Sequence, residues 1–298
     1  MERRRLGGLA MAAGSGVLYG SINVLSKPVD LDPLVKAAVA YLVSALVLSP
    51  FLRGLRIARG DWPKVLVMGL VGGGLAPVLL FYGLRETAAA DAGMLLTLEM
   101  VGTAALAALF IGERYRPREL LGLAALLAGA ILVAFASRSE GAEGSTLLGM
   151  ALILGSALGW ALDNAVSASL VGSYRPRSLI ALKGLLGGTA CLAAAVAVGS
   201  RQPDLPGFAA MAGLGILSIA VSSLLFYHAL GRVGAARTSA MNIATTAVVG
   251  AAGGALLLGE RLVPLHAAAL GAILLGSTFL ATQRHPAVGG PTDMPDAG

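Results

Sequence analysis

Ten runs of mostly apolar residues, each about 20 long, fill this chain almost from end to end, separated only by short polar stretches. A helix rises about 1.5 Å per residue, so such a run matches the roughly 30 Å hydrocarbon core of a bilayer. The runs fall at 6–26, 33–52, 62–84, 88–111, 117–136, 146–171, 177–198, 206–228, 238–258 and 264–283. Leu, Ala, Met and Gly dominate them, which favours helices over the alternating pattern of barrel strands. Charged residues make up only 13% of the chain, against roughly 25% in a soluble domain, too few to cover a water-soluble globule. The sequence therefore predicts an all-α integral membrane protein of ten transmembrane helices, with short loops making consecutive helices antiparallel neighbours.

Orientation follows from the basic residues. A net charge of +6 would suggest a nucleic-acid partner in a soluble protein, but here Lys and Arg lie in the connections, where topology accounts for them. Starting at the N-terminus, alternate connections hold fifteen of the 22, among them Arg114, Arg116 and Arg118. The opposite set holds six, Lys27, Lys36, Arg85, Arg138, Arg201 and Arg261, and Lys183 alone is left inside a span. Basic excess marks the cytoplasmic side, which predicts an inner (plasma) membrane protein with both termini cytoplasmic. The start, "MERRRLGGLAMA", resembles a signal peptide, but an uncleaved first span fits the same residues and completes the repeat described next. The final residues, 285–298, are Pro- and Gly-rich and polar, so a disordered tail is expected. Neither the single Cys191 nor His228, His266 and His285 has metal-ligand spacing, and no metal or cofactor is expected.

One phrase occurs twice. "LFIGERYRP" at 109–117 and "LLLGERLVP" at 256–264 set Gly112 and Gly259 at matching points of the two halves. Their flanks agree: "LFYGL" (80–84) with "LFYHAL" (225–230), and "GAIL" at 129–132 with 271–274. "GLAMAAGSGVLYGSIN" from Gly8 pairs with "GMALILGSALGWALDN" from Gly149, placing Tyr19 against Trp160 and Asn23 against Asn164. Two five-helix units result, residues 1–140 and 141–284. Five is odd, so the second unit must start from the opposite face and lie inverted. The first phrase continues "ERYRPRE" and the second "ERLVPLH", which keeps one arginine, as expected of phrases on opposite faces. Within each phrase Gly is expected to end a helix and Pro to begin the next, with the Glu at that new N-terminus, where the dipole favours it.

Ten spans in two inverted halves, each closing on a GER phrase before its fifth helix, resemble the drug/metabolite transporter superfamily in its EamA-like branch. The resemblance covers about residues 6–283. Length and layout are also similar to the bacterial aromatic amino-acid exporters. Family members resemble "LEPV" where this chain has Glu99 and Met100, so the missing Pro predicts a straighter fourth helix.

Ionisable groups inside a span are costly and point to function. Glu99, mid-way along the fourth span, fits either a substrate-ammonium or proton site or a carboxyl bonded between helices. Asp163 and Lys183 lie at similar depth on the sixth and seventh spans, and their repeat partners are Ile22 and Ala40, so an intramembrane ion pair is expected. Lys36 is expected to snorkel to the headgroups. Inverted-repeat carriers bind substrate near the midplane, which makes Tyr19, Glu99, Trp160, Asn242 and Thr245 the cavity candidates. Tyr82 and Tyr227 would suit outer and inner gates. Gly73, within "GGG", and Pro77 suit a hinge in the third span or close helix packing. The eighth span lacks the Pro, so the matching break is only half present.

These features predict a secondary transporter of small metabolites using alternating access, and the resemblance implies amino-acid export, aromatic or neutral. The partners expected are a small-molecule substrate and the lipid bilayer. A drug or other metabolite efflux carrier is the alternative. A membrane enzyme finds no HExxH, GxSxG or P-loop, and a channel finds neither a filter loop nor a ring of charge.

Overall fold

The computed structural model describes residues 2–112, 114–138, 145–171 and 173–281. Glu113 of the first GER phrase and the tail at 285–298 lie outside the described residues. Among the described residues there are ten helices long and apolar enough to cross a membrane, and no strands. They are α1 (Arg5–Leu25), α2 (Pro33–Leu52), α3 (Arg59–Arg85), α4 (Ala89–Phe110), α5 (Pro117–Ala136), α6 (Leu147–Val171), α7 (Pro176–Ala197), α8 (Leu205–Val233), α9 (Arg237–Leu257) and α10 (Pro264–Ala281).

Local chemistry sets the ends. Pro sits in the first turn of α2, α5 and α7, where its missing N–H has no helical partner to lose. Asp32 and Asp204 cap α2 and α8 by accepting from Leu34 N at 2.9 Å and Gly207 N at 3.1 Å, each contributing about 1 kcal/mol. Gly112 and Gly259 close their helices at φ +72° and +69°, the left-handed conformation that glycine adopts without steric cost.

Three spans are irregular. In α3, residues Met68–Leu75 widen into a π-helix, and in α8 residues Gly215–Val221 do the same. The expectation that the matching break in α8 would be only half present is therefore corrected. In both helices the widened segment lies where backbone meets backbone, since Gly73 and Gly187 leave no room for a Cβ between α3 and α7, nor does Gly215 against Ala40 of α2. The fourth span is not straighter but broken, into Ala89–Leu95 and Leu98–Ile111. Thr97 Oγ1 donates to Met94 O at 2.7 Å, while the Glu99 and Met100 amides reach back only three residues, to Leu96 O and Thr97 O. The ladder thus tightens to a three-residue reach at the break, without proline.

α1 packs on α8 and α9, and α6 on α3 and α4, while α2 meets α7, α5 meets α10 and α4 meets α9. Leu46, Phe110, Val196 and Leu256 project outward with over 70% of their surface exposed, as expected of side chains meeting lipid.

The bundle end formed by the α1–α2, α3–α4 and α9–α10 connections is tied by polar contacts. Glu260 corrects the expected placement of its carboxylate: it does not serve α10 but crosses to α4, accepting from Ala89 N at 2.7 Å and Ala90 N at 2.9 Å. Those amides are the free donors of α4's first turn, so the carboxylate satisfies both and meets the positive end of the dipole. Lys27 joins the knot, 2.8 Å from Glu260 Oε1 and 3.0 Å from Thr87 O. Lys36 does not snorkel; it is buried and donates to Ser26 O at 2.8 Å, just past the end of α1. That carbonyl lies at the negative end of the helix dipole, which binds the ammonium in place of headgroups. Nearby, Asp91 of α4 accepts from Ser137 and Ser145 and lies 2.9 Å from His266 Nε2. The Val263 amide donates to His266 Nδ1 at 3.0 Å, so in its neutral form the ring carries its proton on Nε2 and donates it to Asp91.

Candidate functional site

Where α1, α3, α4, α6 and α7 converge at mid-membrane depth, polar side chains gather. The break in α4 puts Glu99 in the first turn of its second segment, where a helix N-terminus favours a carboxylate. Asn164 of α6 donates to Glu99 Oε1 at 2.7 Å. One residue earlier, Asp163 forms an ion pair with Lys183 of α7 and accepts from Ser167 Oγ at 3.0 Å. The Asp163 side chain is 4% exposed and that of Lys183 22%, so the two charges satisfy one another in a setting where either alone would be expensive. Glu99 lies within electrostatic reach of both.

The aromatic wall comes from the same helices. Tyr19 and Trp160 meet edge to face with ring centroids 5.7 Å apart, a geometry worth about 1 kcal/mol beyond area burial. Trp160 Nε1 donates to Gly72 O at 2.9 Å. Gly72 belongs to the π segment of α3, whose shifted hydrogen-bond ladder presents a carbonyl to the indole. No Cβ would fit at Gly72 beside the Asp163 carboxylate. The "GGG" stretch is thus a packing surface that seats both Trp160 and Asp163, with Pro77 starting the regular segment that follows.

Some of the residues singled out from sequence lie apart from this cluster. Asn242 donates to Ser15 Oγ at 2.9 Å, and Thr245 Oγ1 returns to Met241 O and Asn242 O of its own helix. Both serve the α1–α9 contact, where Gly16 lets the helices approach. Tyr227 meets Phe226 edge to face with ring centroids 5.9 Å apart, and among the described residues no hydrogen bond joins it to the Asp163–Lys183 pair. Tyr82 sits at the end of α3 with the Arg85 guanidinium 5.7 Å from its ring. Tyr41 was missed by sequence reasoning; its hydroxyl is 3.5 Å from Gly72 O and within electrostatic reach of Lys183. Asn164 was noticed only as the repeat partner of Asn23; a polar amide beside a mid-span Asp was the available signal.

Exposure along the central helices is one-sided. Residues 87–97, the entry to α4 and its first part, are all buried, whereas 98–103 are all partly exposed, as are 241–245 of α9. Asn164 is exposed although it hydrogen-bonds to an interior carboxylate. At the sealed end α4 crosses α9 closely, and a Cβ on Gly93 would lie 2.9 Å from Gly250 Cα. The half of the bundle tied by Lys27 and Glu260 is thus the sealed one, and the polar cluster borders the more exposed half.

A polar site at mid-depth in a ten-helix bundle defines a multi-pass membrane protein that handles a solute. The model of the EamA-like transporter family matches residues 6–135 and again 147–282. The chain belongs to that family. It is 29% identical over 196 residues to an uncharacterized transporter of Methanothermobacter thermautotrophicus, covering 62% of this chain and 55% of that protein. An uncharacterized transporter of Archaeoglobus fulgidus is 25% identical over 256 residues, covering 85% and 90%. The uncharacterized transporter YwfM of Bacillus subtilis is 30% identical over 139 residues, covering 45% and 47%. The chain thus spans about half the length of the first and third of these relatives. A solved crystal structure superimposes with a TM-score of 0.67 at 18% identity, over 92% of this chain and 96% of the other, a likeness of fold.

Proposed function

We propose that this transporter is a secondary carrier of the inner membrane that exports amino acids, aromatic or neutral, by alternating access. The observation that carries the reading is the charge balance of the central cluster. Asp163 and Lys183 cancel one another, and Glu99 remains with only the neutral Asn164 beside it. The ionised cluster is one positive charge short. A substrate ammonium at Glu99 supplies that charge, and the Tyr19–Trp160 wall accepts an apolar or aromatic side chain. Tyr41 and Lys183 stand beside the same cluster and carry donors for a carboxylate.

The carrier cycle rests on two inverted units, 1–140 and 141–284. The packing pattern supports it: α1 with α8 and α9 is answered by α6 with α3 and α4, α2 with α8 by α7 with α3, and the contacts α2–α7, α5–α10 and α4–α9 map onto themselves. Rocking one unit against the other exchanges the open and sealed ends. The distribution of Lys and Arg supports cytoplasmic termini, with the open end facing the cytoplasm.

Counterflow tests the reading. Proteoliposomes preloaded with an unlabelled aromatic amino acid should take up labelled phenylalanine or tryptophan against its gradient. Uptake that is not accelerated by preloading, for any of the twenty amino acids, would remove the amino-acid assignment.

A further inference from the structure

A groove of about 390 Å³ opens on the lipid-facing side between α2 and α7, remote from the central cluster. Its walls are Val35 and Leu46 on α2, Leu192 and Val196 on α7, and Phe208 on α8. From Val35 to Leu46 the α2 wall runs roughly 16 Å at 1.5 Å per residue. That equals about half the 30 Å hydrocarbon core, the depth of one leaflet. The mouth is polar: Ser200, Arg201 and Gln202 line it where α7 has ended, held by a bond from Ser200 N back to Ala195 O at 2.8 Å. Arg201 is exposed and has no carboxylate partner among the described residues. The neighbouring acids are engaged elsewhere, Asp204 and Asp32 each capping a helix. The Ser200 hydroxyl is buried without a hydrogen-bond partner.

We propose that this groove holds one acyl chain of a glycerophospholipid whose phosphodiester sits on Arg201. The match is twofold: an apolar channel one leaflet deep, and an unpaired guanidinium at its mouth, which binds phosphate oxygens bidentately. A lipid seated there bridges α2 and α7, the helix that carries Lys183, at the end of the bundle that is sealed in this structure.

Native mass spectrometry of the full chain in detergent tests this, with palmitoyl-oleoyl phosphatidylglycerol and, separately, a diacylglycerol of the same chains as added probes. The wild type should retain one phospholipid and little diacylglycerol. Arg201→Gln should lose at least tenfold of the phospholipid occupancy. Val196→Trp, at a position 73% exposed and so tolerant of bulk, should fill the groove and lose it as well. Equal phospholipid retention in wild type and both variants would overturn the site. So would equal retention of diacylglycerol and phospholipid, or a doubled mass that disappears in Val196→Trp, which would assign the groove to a second copy of the chain.

Discussion

Asn23 and Asn164 stand at matching places in the aligned phrases of the two halves, one turn beyond Tyr19 and Trp160. Their surroundings differ completely. Asn164 is exposed and donates to Glu99, while Asn23 is fully buried and neither of its amide atoms has a hydrogen-bond partner. Burying an unpaired amide costs about 1–3 kcal/mol, so the sealed end stores a cost that the open end does not. Lys27, Glu260 and the first amides of α4 offset it at the sealed end. In the proposed cycle the two asparagines exchange environments, and the sealed state persists because these ties hold against an interior that would gain by opening.

The largest expected break in this comparison is at the charged centre. Asp163→Ala leaves Lys183 largely buried without its partner, which should cost about 3 kcal/mol of stability. Removing the ammonium too, as Asp163→Ala with Lys183→Met, should recover most of it, read as detergent-solubilised melting temperature. A double variant no more stable than the single one would show that the pair does not act as a unit. Next comes Glu99→Gln, which keeps an acceptor for Asn164 but removes the charge. Loss of a charge-assisted contact of about 2 kcal/mol should raise KM for an amino-acid substrate some thirtyfold. The pH dependence of transport that arises from this carboxyl should vanish in the variant. Wild-type KM and an unchanged pH profile would leave Glu99 with only the structural task of bonding Asn164.

How much of this was legible beforehand depends on the kind of residue. Span positions were readable because twenty apolar residues between prolines, glycines and charges admit few other folds. The proximity of Asp163 and Lys183 could be expected from equal depth on consecutive antiparallel helices, since depth is simple arithmetic along a helix. Facing direction was not readable for Asn242 and Thr245. They share the depth of the site but turn toward α1, because Gly16 draws α9 against it. Lys36 and Glu260 were misplaced for a related reason. Each satisfies the end of a helix other than its own, and only the packing of spans distant in sequence shows which end is within reach. The break in α4 falls at Leu96 and Thr97, where no proline stands to mark it.

The sealed end offers a smaller effect that sharpens the contrast between the asparagines. In a Cys191→Ala background, Asn164→Cys should react with a water-soluble thiol reagent at least tenfold faster than Asn23→Cys. Glu260→Gln removes the ion pair with Lys27 and weakens two charge-assisted bonds to α4, together about 1–2 kcal/mol. Asn23→Cys should then gain reactivity while Asn164→Cys loses it, because opening one end closes the other. Gains at both positions would mean that the ends open independently, which rocking units do not allow.

The smallest effect probes the point where the two halves touch. Tyr19 and Trp160 are aligned residues that meet each other, so under the proposed inversion their contact lies on the axis relating the units and should persist as the ends exchange. A double-mutant cycle on stability, Tyr19→Leu against Trp160→Leu, should return a coupling of about 1 kcal/mol. Repeating it in the Glu260→Gln background, where the sealed end is loosened, should leave that coupling unchanged. A coupling that falls to zero there would place the contact in only one state, making the aromatic pair part of the seal and not of the pivot.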